Sequence, residues 1–138
     1  MERSVSDKMG IKPGMRAIFI NPPSDVEEAI NTPGLDLQKR LVGEFDYIHL
    51  FVISQAEFHT WFPKLKSHLK QSGMLWVSWP KAGQEQTDLK LTTVIKLGYD
   101  YGLVESKSIS LNQLWSALKF THPKQGQVYN NSYGKLKL

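Results

Sequence analysis

Three apolar runs, each closed by proline or serine, set the limits on what this chain can fold into. They are Met15-Arg16-Ala17-Ile18-Phe19-Ile20, Phe45 to Ile53, and Met74 to Trp79. Short apolar runs bounded by turn chemistry read as buried strands. Lys12-Pro13-Gly14 precedes the first run and Asn21-Pro22-Pro23 ends it, since proline cannot donate to a strand ladder. The second run is apolar at nearly every position, the pattern of a strand covered on both faces. Pro80 ends the third.

The segments between the runs carry helical signals. Ser24 with Glu27 three residues later has the capping-box spacing, predicting a helix from Asp25 to about Asn31. Thr32-Pro33-Gly34 breaks it, and Asp36 to Leu41 reads as a further helical turn ended by Gly43. Ser54 can cap the next helix, in which Phe58, Trp61, Phe62, Leu65 and Leu69 recur at three- and four-residue steps. Pro63 inside that stripe predicts a kink or two short helices, and Ser72-Gly73 a stop. After a polar loop from Lys81 to Gln86, Thr87 reads as an N-cap with Asp88 at the positive end of the helix dipole. Leu91, Val94 and Ile95 form the buried stripe of that helix. Leu103 to Ile109 alternates apolar and polar residues, Asn112-Gln113 makes a turn, and Leu114 to Phe120 reads as a fifth strand. So short a connection forces an antiparallel hairpin. Strands alternating with helices give a parallel sheet with helices on its faces.

Composition narrows the function classes. The chain has 138 residues, 17 Lys+Arg against 13 Asp+Glu, and no cysteine. That length suits one domain, here residues 1–121, followed by a polar tail, 122–138, that reads as mobile. Without cysteine there is no disulfide framework, thiolate metal site or Cys nucleophile. No apolar run approaches the ~20 residues of a membrane span, and the first ten residues hold no signal core. A soluble, cytoplasmic protein with no membrane partner is expected. The net charge of +4 is interleaved with acids rather than gathered on one face, which argues against nucleic acid.

Phe45-Asp46-Tyr47-Ile48 leading into an apolar strand, a helix, and then Leu65 to Ser78 through Ser72-Gly73-Met74-Leu75 resembles the central strand, helix and "leucine-lysine-x-gly-gly-x-leu" strand of class I S-adenosylmethionine-dependent methyltransferases. The closing hairpin is similar too. Over residues 8–121 the chain also resembles a family of small bacterial proteins of unknown function related to that fold but truncated. The matching features are Gly10 to Gly14, Trp79-Pro80-Lys81, Thr87-Asp88-Leu89, Gly102-Leu103-Val104 and Trp115 to Phe120. The resemblance implies a three-layer, Rossmann-like α/β domain: a five-stranded, mostly parallel sheet with an antiparallel C-terminal strand and helices on both faces.

Two departures bear on activity. Methyltransferases place a glycine-rich loop after the first strand, where this chain has Asn21-Pro22-Pro23-Ser24. They also carry an acid at the end of a second strand to hold ribose hydroxyls, by the logic of the dinucleotide fold. Between Ile30 and Phe45 a strand–helix–strand unit does not fit, so that acid has no seat. The truncation also bares a sheet edge that could pair with a second copy.

Ligands of open parallel sheets bind at the carboxyl ends of the strands. That edge gathers Asn21, Pro22, Ser54, Trp79 and Lys81, with Asn112 and Trp115 arriving on the last strand. Trp79 and Trp115 could wall a site and Lys81 meet an anion; the alternative is that both rings fill the core and the lysine is solvated. Asn21-Pro22-Pro23 resembles the Asn-Pro-Pro-aromatic motif of amino-methylating enzymes, but it follows the first strand and ends in Ser24, so it reads as a turn. His59 and His68 lie nine apart across Pro63, which suits no helical metal pair, and His49 reads as a hydrogen-bonded core residue. No serine sits in a Gly-x-Ser-x-Gly elbow, no phosphate-binding Walker loop occurs, and Asp25/Glu27 belongs to a helix start. The sequence thus names no catalytic or metal-binding residue and no cofactor. Its leading reading is a non-enzymatic domain that binds a small ligand or protein partner; the alternative is a minimal methyltransferase with an unusual S-adenosylmethionine seat.

Overall fold

A computed structural model of the chain describes residues 5–24, 26, 30, 34–81, 84–124, 130–131 and 134–135. In chain order the elements are α1 (Val5–Met9), β1 (Arg16–Ile20), β2 (Asp36–Leu37), β3 (Phe45–Phe51), α2 (Gln55–Lys66), β4 (Leu69–Pro80), α3 (Leu91–Asp100), β5 (Val104–Ser110) and β6 (Trp115–Thr121). A separate pair, β7 (Asn130–Asn131) and β8 (Gly134–Lys135), follows. Ser24, Val26 and Ile30 are helical, while the bounds expected for that helix, and its Glu27 cap, fall outside the described residues. So does most of the tail whose mobility the sequence suggests.

The main sheet has the order β2-β1-β3-β4-β6-β5. β2, β1, β3 and β4 run parallel, and β6 is antiparallel to both β4 and β5. The parallel sheet, the antiparallel C-terminal strand and the coverage of both faces are as expected. Ile18, Ile48, Leu50, Leu75, Val77 and Trp79 face α2 and α3, where they meet Phe58, Phe62, Leu65, Val94 and Ile95. Ala17, Tyr47, Phe51, Met74, Trp76 and Trp115 face the other way, onto Met9, Val26 and Ile30. Alternation along the central strands sorts these residues between two cores.

Four local expectations are corrected. Asp36 does not open a helical turn: Asp36 N–H donates to Met15 O at 2.9 Å and Gln38 N–H to Ala17 O at 2.8 Å, so the segment pairs with the free edge of β1 as a sixth strand. The sheet therefore has a two-residue strand in the segment whose length predicts none. α2 runs as one helix through Pro63, which lies in its last turn. It stops at Lys66, before Leu69, because Phe45 N–H donates to His68 O at 2.8 Å and draws Leu69 into β4. Finally, Asp88 does not serve α3, whose N-cap is Lys90 with no side-chain bond. Its Oδ1 accepts the Gln55 N–H of α2 at 2.8 Å, an orphan donor of that helix's first turn.

Candidate functional site

β1 leads to β2 at the sheet edge, and β2 leads back across β1 to β3. β2 lies on one side of β1 and β3 on the other, and a crevice at the carboxyl ends of such strands is where open α/β sheets take ligands. The backbone there turns at Asn21, whose φ is +58°. Asparagine is among the few residues with a side chain that enter this left-handed region readily. Pro22 and Pro23 follow, and the chain is helical again at Ser24. Beside the turn lies a cavity of about 280 Å³ lined by Phe19, Pro22, Leu37, Gln38 and Lys39. Leu37 is 41% exposed, an apolar surface offered at the mouth. The Gln38 amide is oriented by Asp36, whose Oδ1 accepts from Nε2 at 2.7 Å.

Phe19 is the wall between this crevice and a buried polar chain. Its ring meets Tyr47 edge-on at 5.7 Å and His49 at 6.2 Å. Behind it, Tyr47 Oη lies 2.7 Å from His49 Nδ1, and His49 Nε2 lies 2.7 Å from Ser78 Oγ. All three side chains are fully buried, and the imidazole stacks on Phe51 at 4.2 Å. Burial pushes the His49 pKa down to about 3 and the Tyr47 hydroxyl well above its ordinary value, so both are neutral. His49 is the hydrogen-bonded core histidine that its place in an apolar strand suggested. A Ser–His–Tyr chain has the makings of nucleophile activation, but one sealed from solvent on all three members serves to satisfy polar groups in a core.

The seven residues expected at the carboxyl edge separate. Asn21 and Pro22 shape the crevice. Ser54 caps α2: its Oγ accepts from Glu57 N–H at 3.1 Å and Glu57 Oε1 accepts from Ser54 N–H at 3.2 Å. Trp79 and Trp115 do not share a wall. Trp115 pairs with Pro80 across the ladder and Trp79 with Ser116, so the two rings leave opposite faces of the sheet. Trp79 is 3% exposed, borders a second cavity of about 310 Å³ with Leu91 and Ser110, and belongs to the α2–α3 core. Trp115 packs edge-on against Phe51 at 5.6 Å on the other side. Lys81 ties the end of β4 to the hairpin, Nζ donating to Ser110 Oγ and N–H to Leu114 O. Asn112 Oδ1 accepts from both Leu114 and Trp115 N–H at 2.8 Å and holds the turn. The crevice residues missing from the sequence reading are Phe19, Leu37, Gln38 and Lys39. A two-residue strand leaves no periodicity to detect.

Among the described residues no cluster of His, Asp and Glu could hold a metal ion, and no helix is long and apolar enough to cross a membrane.

The fold has counterparts among solved structures. The ribosomal protein L11 methylase of Lactobacillus delbrueckii subsp. bulgaricus superimposes with a TM-score of 0.55 at 13% identity, over 86% of this chain and 75% of that one. Magnesium protoporphyrin IX methyltransferase of Synechocystis, solved with S-adenosylmethionine bound, gives 0.59 at 11% identity over 86% and 74%. A TehB-like methyltransferase from Corynebacterium glutamicum gives 0.54 at 8% over 86% and 85%. The chain has the class I methyltransferase fold. No protein-family model and no curated protein matches it. At these identities the likeness is one of architecture, and activity has to be argued from the site.

Proposed function

We propose that the protein is a minimal domain of methyltransferase type that takes S-adenosylmethionine in the crevice between β1 and β2. The observation that supports this most is the cavity itself, set at the carboxyl ends of the neighbouring parallel strands β1 and β2 and beside the left-handed turn at Asn21. Glycine normally supplies such a turn; asparagine preserves the backbone path here without it.

The crevice residues fit a nucleoside. Phe19, Pro22 and Leu37 offer apolar surface to a purine, and the Gln38 amide, oriented by Asp36, offers hydrogen bonds to ribose hydroxyls. The amide takes the place of the usual carboxylate, and Lys39 stands beside it. When bound, S-adenosylmethionine supplies an activated methyl group. The chain's part is to stack the purine, fix the ribose and keep Phe19 between the ligand and the buried hydroxyls.

Binding without transfer is the second reading, supported by one observation: among the described residues that line the crevice, Lys39 is the only titratable one, and none of them is a neutral base placed to take a proton from an acceptor. Calorimetry with S-adenosylmethionine and its demethylated product tests the shared part of both readings. A saturable heat with either ligand is expected, and none at millimolar concentration contradicts both. A radiolabelled methyl-transfer assay against candidate acceptors then separates enzyme from binder. Cytoplasmic location, and self-association through the short β2 edge, complete the proposal; light scattering tests the latter.

A further inference from the structure

At the amino edge of the sheet, opposite the crevice, the fold carries an electrostatic conflict. Lys107 on β5 stands directly across the antiparallel ladder from Lys119 on β6. Side chains so paired project to the same face, and like charges in that relation are destabilising. Lys107 has an outlet, since its Nζ donates to the Lys8 carbonyl at the end of α1 at 2.6 Å. Lys119 has none: no hydrogen bond or ion pair to a described residue engages its ammonium, and burial, then the charge of Lys107, push its pKa below the usual value.

Lys119 opens into a cavity of about 280 Å³. Lys12, also without a hydrogen bond or ion pair among the described residues, lines the same cavity, as do Ser72 and Thr121, which bring hydroxyl donors. Among the described residues Asp46 is the one acid in the lining, and it is already engaged, by Arg16 N–H at 2.9 Å and Lys70 Nζ at 3.1 Å. Among the described residues, two ammonium groups without a hydrogen bond or ion pair, two hydroxyls and one carboxylate that is already engaged make a small pocket with an excess of positive charge. We infer that this cavity binds a phosphate-type oxyanion, held by Lys119 and Lys12 and hydrogen-bonded by Ser72 and Thr121. The anion offsets the Lys107–Lys119 repulsion, so binding at this edge also stabilises the β5–β6 hairpin. The site is independent of the carboxyl-edge crevice.

The test is competitive labelling. The full chain is reductively methylated in inorganic phosphate or in chloride at equal ionic strength, and modification is read lysine by lysine by mass spectrometry. Phosphate near ten times its Kd is expected to slow Lys119 about fivefold or more, while Lys96, paired with Asp100 on α3, is unchanged. Equal rates at Lys119 in both salts, or equal slowing at Lys119 and Lys96, overturns the site. In a second measurement phosphate raises the melting temperature of the wild type but not of Lys119→Gln; a rise that persists in the variant also overturns it. If the variant does not fold, labelling of the wild type still decides. Glycerol phosphate distinguishes the sources: protection at lower concentration than inorganic phosphate points to a phosphorylated metabolite, and no better protection points to the free ion.

Discussion

His49 is buried between two hydroxyls, and its chemistry sets how the core responds to pH and to substitution. A neutral imidazole donates through one nitrogen and accepts through the other. Removing Ser78 Oγ leaves Nε2 without its partner in a site that water does not reach. Ser78→Ala is expected to cost about 1–3 kcal/mol, read from urea denaturation. The depressed pKa has a definite sign. The unfolded chain protonates His49 below about 6.5, whereas the folded chain refuses the proton until about 3. The stability that this neutral imidazole supports is therefore complete above about 6.5 and is lost as pH falls toward 3, with a slope approaching ~1.4 kcal/mol per pH unit. A denaturation series between these limits checks it, and a flat profile contradicts it. His49 was legible in the sequence as a core residue because it sits in an unbroken apolar strand. Its partners were not, since Tyr47 is two residues away on the same strand and Ser78 arrives only when β4 pairs with β3.

Among the elements, the helices are placed by contacts that no local signal carries. α3 lies so close to the sheet that a Cβ built on Gly98 falls 2.0 Å from Phe120 Cε1. Gly98→Ala is expected to destabilise the fold by about 1–3 kcal/mol or more, against the usual gain from alanine within a helix. Thermal or urea unfolding reads the sign directly. α2 is capped from outside: Asp88 accepts the Gln55 N–H and Thr87 Oγ1 donates to Ile53 O. Asp88→Ala should cost about 0.5–2 kcal/mol, with loss of protection from hydrogen exchange at the Gln55 amide. Thr87 and Asp88 have the sequence of a helix start, but it is α2, brought alongside by the sheet, whose first-turn amide Asp88 satisfies, while Thr87 holds the Ile53 carbonyl just before that helix. The Ser54–Glu57 box was readable because both partners lie within one turn. The strands were readable for a similar reason, each being an apolar run. β2 was not, because backbone pairing with β1 rather than side-chain pattern defines it.

At the scale of the whole molecule, the sheet has the arrangement of the class I methyltransferase fold, with a strand of only two residues at its β2 edge. The shortening predicted from the length between Ile30 and Phe45 leaves the two residues of β2, and these shape the crevice wall at Leu37. The carboxyl-edge location of a candidate site was legible from strand order, whereas its membership was not: Trp79 and Trp115 leave opposite faces of the sheet, and strand phase cannot be fixed from composition alone. If Phe19 and Gln38 hold a nucleoside, Phe19→Ala and Gln38→Ala should each weaken S-adenosylmethionine about tenfold or more, equivalent to ~1.4 kcal/mol; Gln38→Ala should do so with little change in global stability, whereas Phe19→Ala also loses the packing on Tyr47 and His49. The most direct measurement is amide chemical-shift mapping of the full chain during titration with S-adenosylmethionine. Saturable shifts centred on Phe19, Asn21, Leu37, Gln38 and Lys39 are expected. Absence of shifts, or shifts centred on the Trp79–Leu91 cavity instead, would contradict the crevice site.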